Sequence, residues 1–278
     1  MQIGAIIQAR TSSTRLPAKV LKNLPYNTDI TVLEQVIRRL KKSKVLNNII
    51  VATTTHEKDS KIVDIAKKEK VSWFRGSENN ALERYYLAAA ENSLDIVVRI
   101  TSDCPCIDPD IVDLVVENHL EVSADYSSNS LVDTFPRGLD VEVINFETLK
   151  KAHSEAKDDF EKEHVTPFIY KTNPKLFKIN SFTAANILKA PDIRITLDTE
   201  EDYALLCAVF EFLYPKNDCF RLKDIISLFN QKPWLKLINK KIIQKKICNT
   251  VEEEIIEAKK ILDLQELKRA KNILENRY

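Results

Sequence analysis

The chain reads as an α/β protein: parallel strands joined by right-handed helical crossovers, followed by a C-terminal helical extension. Three observations predict this. Strand-length apolar runs alternate with amphipathic stretches in the order strand, loop, helix, strand, helix, strand, which calls for parallel pairing. The first run, residues 3–7, is apolar without a break, as a strand buried on both faces must be. Strand-like segments then stop before Pro215 and Asn217-Asp218, and only helical candidates lie beyond. The sheet-bearing domain is therefore assigned to residues 1–214 and the helical extension to 215–278.

The first strand ends in small polar residues that carry Arg10, Arg15 and Lys19. Loops leaving the carboxyl ends of parallel strands form a ligand crevice, where backbone N–H groups, hydroxyls and cations hold a polyanion. Solvated surface charge is the plainer alternative. Residues 29–43 put Leu33, Val36, Ile37 and Leu40 on one face and Arg38, Arg39, Lys41 and Lys42 largely opposite, an amphipathic helix covering a sheet. A strand at 48–53 exits through Thr53-Thr54-Thr55, Ser60 caps a helix to about residue 70, and a short strand follows at 71–74. The next loop, Arg75 to Asn80, contains one of only three glycines in the chain, and Asn80 caps a helix to about 92. Strand 95–101 ends in Ser102-Asp103-Cys104-Pro105, and Asp108-Pro109 opens a helix with Ile111, Leu114 and Val115 inward.

The pattern changes after Ala124. A short strand at 125–127, a polar loop to Arg137-Gly138 and an alternating segment at 140–144 precede helices at 146–156 and 161–171. Strands are expected at 178–182 and 193–197, the second ending in Asp198-Thr199. Thr199 and Asp202 have the spacing of a capping box with a shorter acid, ahead of a helix with Tyr203, Leu206, Phe210 and Leu213 inward. The extension offers helices at 221–230, 234–246 and 251–276; the last sets Ile255, Ala258, Ile261, Leu262 and Leu267 among many charges.

Composition excludes several classes. With 44% hydrophobic and 30% charged residues and a net charge of +1, the chain is neither disordered nor marked for nucleic acid or a membrane surface. No segment has the roughly 20 apolar residues that span a bilayer, and the first residues lack a signal-peptide pattern, so a cytoplasmic location is expected. The cysteines Cys104, Cys106, Cys207, Cys219 and Cys248 are odd in number and scattered, against a disulfide scaffold. One C-x-C with no second pair is a poor zinc signature.

Asp103 and Asp198 both follow predicted strands, and parallel strands deliver their ends to one rim. Magnesium suits such a pair, because it takes oxygen ligands and needs only one or two carboxylates beside substrate phosphates. With the cationic loop, the set suggests transfer to or from a nucleoside triphosphate. Each acid also has a bland reading: Asp103 as a helix cap, Asp198 as an ordinary first-turn acid. The loop has neither the G-x-x-x-x-G-K-[ST] phosphate pattern nor G-x-G-x-x-G.

Four segments carry a family resemblance: A-R-T-S-S-T-R-L-P-A-K-V-L from Ala9, R-G-S-E-N-N-A-L-E-R-Y-Y from Arg75, R-I-T-S-D-C-P-C-I-D-P from Arg99 and R-I-T-L-D-T-E-E-D-Y from Arg194. P-R-G-L-D-V-E-V from Pro136 and E-H-V-T-P-F-I-Y from Glu163 agree as well. Together they resemble the CTP-dependent sugar cytidylyltransferases, the group of the 3-deoxy-manno-octulosonate and acylneuraminate enzymes, in the branch named for the spore coat protein SpsF. The resemblance covers residues 1 to about 214 firmly and the extension loosely. It implies a Rossmann-like nucleotide-diphospho-sugar transferase fold, an α/β/α sandwich. It also implies transfer of CMP from CTP to an acidic, nonulosonic or Kdo-like sugar, with release of pyrophosphate, and a homodimer.

The resemblance further implies that Arg10 and Lys19 contact the triphosphate, while Ala9, Ser12, Ser13 and Arg15 shape the loop. Asp103 and Asp198 would hold Mg2+, with Arg75 and Ser77 near the nucleotide or acceptor and Ser102 near the nucleotide. The sequence departs from the family where Ala18 replaces the glycine of P-G-K, which alanine permits if its φ stays negative. Ser102 stands in place of the glycine of G-D, and Cys106 in place of an aliphatic residue, as a small buried hydrophobe. His164 reads equally as an acceptor contact or a packed helix histidine, and Arg137 and Asp140 as acceptor-loop or structural residues. A phosphonate or other small acid as acceptor, and a non-catalytic scaffold in polysaccharide biosynthesis, are the alternatives; a scaffold needs neither carboxylate nor Lys19.

Overall fold

The computed structural model of the chain describes residues 1–242 and 250–277, in two compact units, Met1–Lys240 and Lys241–Tyr278. In the first unit, strands β1 (Ile3–Gln8), β2 (Asn48–Thr54), β3 (Ser72–Gly76) and β4 (Ile96–Thr101) alternate with helices α1 (Val32–Leu40), α2 (Ser60–Lys68), α3 (Ala81–Glu91) and α4 (Pro109–Glu121). Adding β5 (Tyr126–Ser128), β6 (Glu142–Asn145) and β7 (Ile179–Ser181) gives a seven-stranded sheet in the order β3-β2-β1-β4-β6-β5-β7. Only β6 runs antiparallel to its neighbours. This is the expected Rossmann-like sandwich.

The unbroken apolar run of β1 is explained by its position. Ile3, Ala5 and Ile7 face one core with α1, α2 and α4, while Ile6 faces a second core with α3 and with α5 (Phe146–Glu155). With helices over both faces, Ile3–Ile7 are buried and only Gln8, at the carboxyl end that faces the crevice, is partly exposed. Helices α7 (Glu200–Leu213), α8 (Leu222–Gln231) and α9 (Leu235–Ile238) belong to the same unit. Leu222, Ile225, Phe229 and Leu235 are buried in the core that holds β1, so this unit runs past residue 214, where the sequence placed the boundary, to Lys240.

Several elements differ from their expected form. Residues 193–197 form no strand; the segment is extended but makes a single bridge, Arg137 to Arg194, and its apolar residues are buried by packing rather than pairing. The helix expected at 161–171 stops as α6 (Asp159–His164), because Val165 turns to φ 73° ahead of Pro167, and a wide helical turn follows over Phe168–Thr172. Leu114 is exposed, and Arg39, expected on the outer face of α1, is buried. Its guanidinium donates to the Ile107, Cys106 and Phe220 carbonyls and lies 4.5 Å from the Phe220 ring. Helix 234–246 is seen only as α9, its last residues lying outside the described ones.

The second unit contains α10 (Val251–Leu264) and α11 (Lys268–Arg277), where one helix was expected. Glu266, at φ 55°, turns the chain between them. Cys104, Cys106, Cys207 and Cys219 are free thiols, and Cys248 lies outside the described residues. No described helix is long and apolar enough to cross a membrane.

Candidate active site

From β1 the chain proceeds outward through β2 to β3, then returns to place β4 on the other side of β1. Such a reversal leaves a crevice outside the carboxyl ends of the two central strands. The loop after β1 and the Ser102-Asp103 turn after β4 both open into it. The loop is built locally: Leu16 and Val20 are buried as anchors, and the Ala18 amide donates to the Thr11 carbonyl at 3.0 Å. Asp59 fixes its start, accepting from the Thr11 amide at 2.8 Å, the Thr11 hydroxyl at 2.6 Å and the Thr54 hydroxyl. Ala18 stands at φ 52°, ψ 29°, so the negative φ expected there is not what the loop adopts.

That conformation aims Lys19 at both carboxylates. Its Nζ lies 2.6 Å from Asp103 Oδ2 and 2.9 Å from Asp198 Oδ1. Asp103 is also joined to the Asp198 segment through its backbone: its carbonyl accepts from the Leu197 amide at 2.9 Å and the Thr196 hydroxyl at 3.3 Å. Asp198 meets Arg15 at 3.1 Å and Arg194 at 2.9 Å. Arg194 is itself held by the fully buried Asp202 through Nε at 3.0 Å and Nη2 at 2.9 Å, a bidentate pair that Asn239 completes.

The electrostatics follow from this crowding. Burial pushes the Asp198 carboxyl up, but Lys19, Arg15 and Arg194 outweigh it and bring its pKa down to about 2. Burial lowers the Lys19 ammonium, and Asp103 and Asp198 more than reverse this, leaving it raised. Arg84 is almost fully buried, its Nη1 donating to the Ser77 carbonyl and its Nε without a partner. Desolvation depresses its guanidinium, and nearby Arg10 adds to the effect.

A second polar group borders Asp103. Gly138, at φ 107°, brings the Arg137 loop so close to the Asp198 segment that a Cβ there would lie 2.7 Å from backbone atoms of Ile195 and Thr196. Arg137 Nε lies 3.5 Å from Asp140 Oδ2. Desolvation raises the Asp140 carboxyl against the pull of Arg137, with Glu142 and Asp103 adding to the rise. Beneath, buried Glu142 pairs with Arg99 and accepts from the Tyr126 hydroxyl at 2.6 Å and the Thr166 hydroxyl at 3.0 Å.

A sequence profile of the cytidylyltransferases matches residues 4–246, which include every residue of this crevice. The chain belongs to the cytidylyltransferase family. It is a CTP-dependent nucleotidyltransferase. An uncharacterised protein of Methanocaldococcus jannaschii is 40% identical over 245 residues, 88% of this chain and 97% of its own length. The spore coat polysaccharide biosynthesis protein SpsF of Bacillus subtilis is 31% identical over 233 residues, 82% of this chain and 94% of SpsF. A cytidylyltransferase structure from Leptospira borgpetersenii serovar Hardjo-bovis is similar with a TM-score of 0.80 and 35% identity, covering 88% of this chain and all of that one.

In this cytidylyltransferase, Lys19, Asp103, Asp198 and Arg15 converge by direct contact. The Ser12 hydroxyl donates to Glu78 at 3.1 Å, and Arg10 lies in the loop after β1, half-buried. Ala9 is buried and paired to Ala52, and Ser102 is buried with its amide on Gln8. Ser13 is half-buried in the loop. Arg75 is tied elsewhere, donating to the Thr54 and His56 carbonyls at 2.9 and 2.7 Å, and Ser77 accepts from the Asn80 amide at 3.2 Å. His164 packs on Phe160 at 5.1 Å, and in the same segment Thr166 joins the polar group below the crevice. Arg84, Asp59 and Arg194 were missed by sequence reasoning. Arg84 and Arg194 stand inside the resembling segments, while nothing around Asp59 marks it in the sequence.

Proposed function

We propose that this cytidylyltransferase joins CMP to a hydroxyl of an acidic sugar, nonulosonic or Kdo-like, working as a cytoplasmic homodimer with no nucleic acid or membrane partner. The observation that carries the reading is the meeting of Lys19, Asp103 and Asp198 at the reversal of strand order. Arg10 and Lys19 grip the triphosphate, Ser12, Ser13 and Arg15 shape the loop around it, and Arg84 supplies charge from below. The acceptor oxygen attacks the α-phosphorus in line; the new P–O bond forms as the bond to the β-phosphate oxygen breaks and pyrophosphate leaves. The Arg137–Asp140 loop, beside Asp103, is where the acceptor is held, its cation suited to an acid. Similarity to SpsF and the family motifs support a sugar.

Mg2+ fits the donors. Asp103 and Asp198 are hard oxygen ligands already close enough to share one ammonium, and among the described residues no trio of His, Cys, Asp or Glu side chains gathers as a closed metal cage. Asp103 and Asp198 would hold the ion together with phosphate oxygens, where it would neutralise charge developing at phosphorus. A screen of nucleotides against acid acceptors, reading pyrophosphate, tests the proposal. CTP with a sugar acid is expected to give release, and Asp103→Asn or Asp198→Asn to lower it by about 100-fold or more with the fold intact. Near-wild-type turnover in either variant overturns the two-carboxylate assignment, and no release across the panel points to a scaffold.

A further inference from the structure

Asp198 follows a segment that no strand ladder steadies: residues 193–197 make a single bridge before the chain turns into α7. A buried side chain holds it instead. Asp202, in the first turn of α7, is fully buried. Its Oδ2 accepts from the Asp198 amide at 3.0 Å, the Thr199 amide at 3.2 Å and Arg194 Nη2 at 2.9 Å. Its Oδ1 accepts from Arg194 Nε at 3.0 Å and Asn239 Nδ2 at 2.9 Å. Asn239, buried just past α9, also donates to the Arg194 carbonyl at 3.1 Å.

Capping α7 requires only the bond from the Thr199 amide. The other donors tie Asp202 and Asn239 to Asp198 twice, through its amide and through Arg194, whose Nη2 reaches Asp198 Oδ2 at 2.9 Å. Oδ2 is thereby held from the interior. Oδ1 is the oxygen that meets Lys19 at 2.9 Å and Arg15 at 3.1 Å in the crevice. We propose that Asp202 and Asn239 are positioning residues for the transfer: they stand in for the missing strand pairing and turn the Asp198 carboxylate so that Oδ1 is presented to the crevice. This rests on the two-carboxylate reading above. A carboxylate whose second oxygen is hydrogen-bonded keeps its orientation before a ligand arrives, and removing such a partner weakens metal affinity about 10- to 100-fold. Asp202 also balances the charge of Arg194, so that the guanidinium serves Asp198 with one nitrogen rather than collapsing onto it with the whole fork.

Mn2+ titrated into the protein with CTP and no acceptor, followed by electron paramagnetic resonance against CTP alone, reads the site without turnover. Asp202→Asn is expected to weaken Mn2+ binding about 10-fold, because an amide cannot accept from all of these donors and leaves the Arg194 charge to Asp198. Asn239→Ala keeps the Arg194–Asp202 pair, so it carries the test even where Asp202→Asn fails to fold; its loss is expected to be smaller and in the same direction. The Mg2+ concentration for half-maximal turnover should rise in step, while KM for CTP at saturating Mg2+ holds, since Asp59 and not Asp202 fixes the loop after β1. Thr199→Ala removes only the hydroxyl that accepts from the Asp202 amide, and is expected to lower the melting temperature with Mn2+ affinity unchanged. If Asp198→Asn weakens Mn2+ binding but the Asp202 and Asn239 variants do not, or if Thr199→Ala weakens it as much as they do, the two residues only cap a helix and the proposal is overturned. If Asp198→Asn also leaves Mn2+ binding unmoved, the two-carboxylate reading falls and the positioning role with it.

Discussion

Ala18 occupies a left-handed conformation that an L-residue enters at a cost of about 1–2 kcal/mol, and the following residue is the one that meets both carboxylates. The strain therefore accompanies the aim of Lys19. Ala18→Gly is expected to raise unfolding stability by about 1 kcal/mol, less than the full strain because glycine frees the unfolded chain. Urea unfolding measures it, and an unmoved or lower midpoint would show that the loop relaxes by another route. Asp59 is the other fixed point of the loop. Burial raises its carboxyl, but hydrogen bonds from Thr11 and Thr54 and the proximity of His56 leave it depressed. A depressed carboxyl stabilises above its unfolded pKa of about 4, and that contribution fades as pH falls through the lower folded value. Asp59→Asn should cost about 1–3 kcal/mol at neutral pH and flatten the stability loss between about pH 5 and pH 3. If the variant and the parent lose stability over the same acid range, Asp59 does not hold the loop.

Among elements, α1 shows how far a periodicity argument reaches. Its apolar stripe, Leu33, Val36, Ile37 and Leu40, is buried as the spacing predicts. Arg39 is buried as well, because Phe220 ahead of α8 and the turn after β4 also close on this helix, and a single-helix pattern contains no record of them. Arg39→Met removes the donor for three carbonyls on two segments and is expected to cost about 3–5 kcal/mol, visible as a fall in melting temperature; a change below about 1 kcal/mol would mean that water or local movement satisfies those carbonyls. β1, β2 and β4 were legible because both of their faces are buried, and β3, a half-exposed edge strand, because of its aromatic run Trp73-Phe74. The segment 193–197 was misread because an extended chain packed under a loop has the same alternation as a paired strand.

For the whole molecule, strand order places Asp103 beside the loop after β1 as expected, but Asp198 reaches it on an unpaired segment tied to the Asp103 carbonyl rather than at the end of a strand, so the route expected for their meeting holds for Asp103 alone. What stayed hidden depends on contacts across the chain. Arg75 turns back to two carbonyls, Arg84 is buried on the Ser77 carbonyl, and Asp202 fixes Arg194 from the interior. The boundary was hidden for a similar reason: α8 and α9 carry a helical pattern like that of the extension, and only their burial assigns them to the first unit.

The ammonium between Asp103 and Asp198 also bears on how the protein endures without its reactants. Two acids on one rim would repel each other in an idle enzyme, yet Lys19 leaves neither facing the other bare. The resting molecule thus carries its own placeholder, and loading the ion proposed above would be an exchange of one positive neighbour for another rather than the filling of a bare site. Its endurance should then be indifferent to the ionic supply. Melting temperatures with and without a strong chelator, in the absence of nucleotide, are expected to coincide, and a drop of several degrees would mean that a metal is part of the scaffold rather than a companion of the nucleotide.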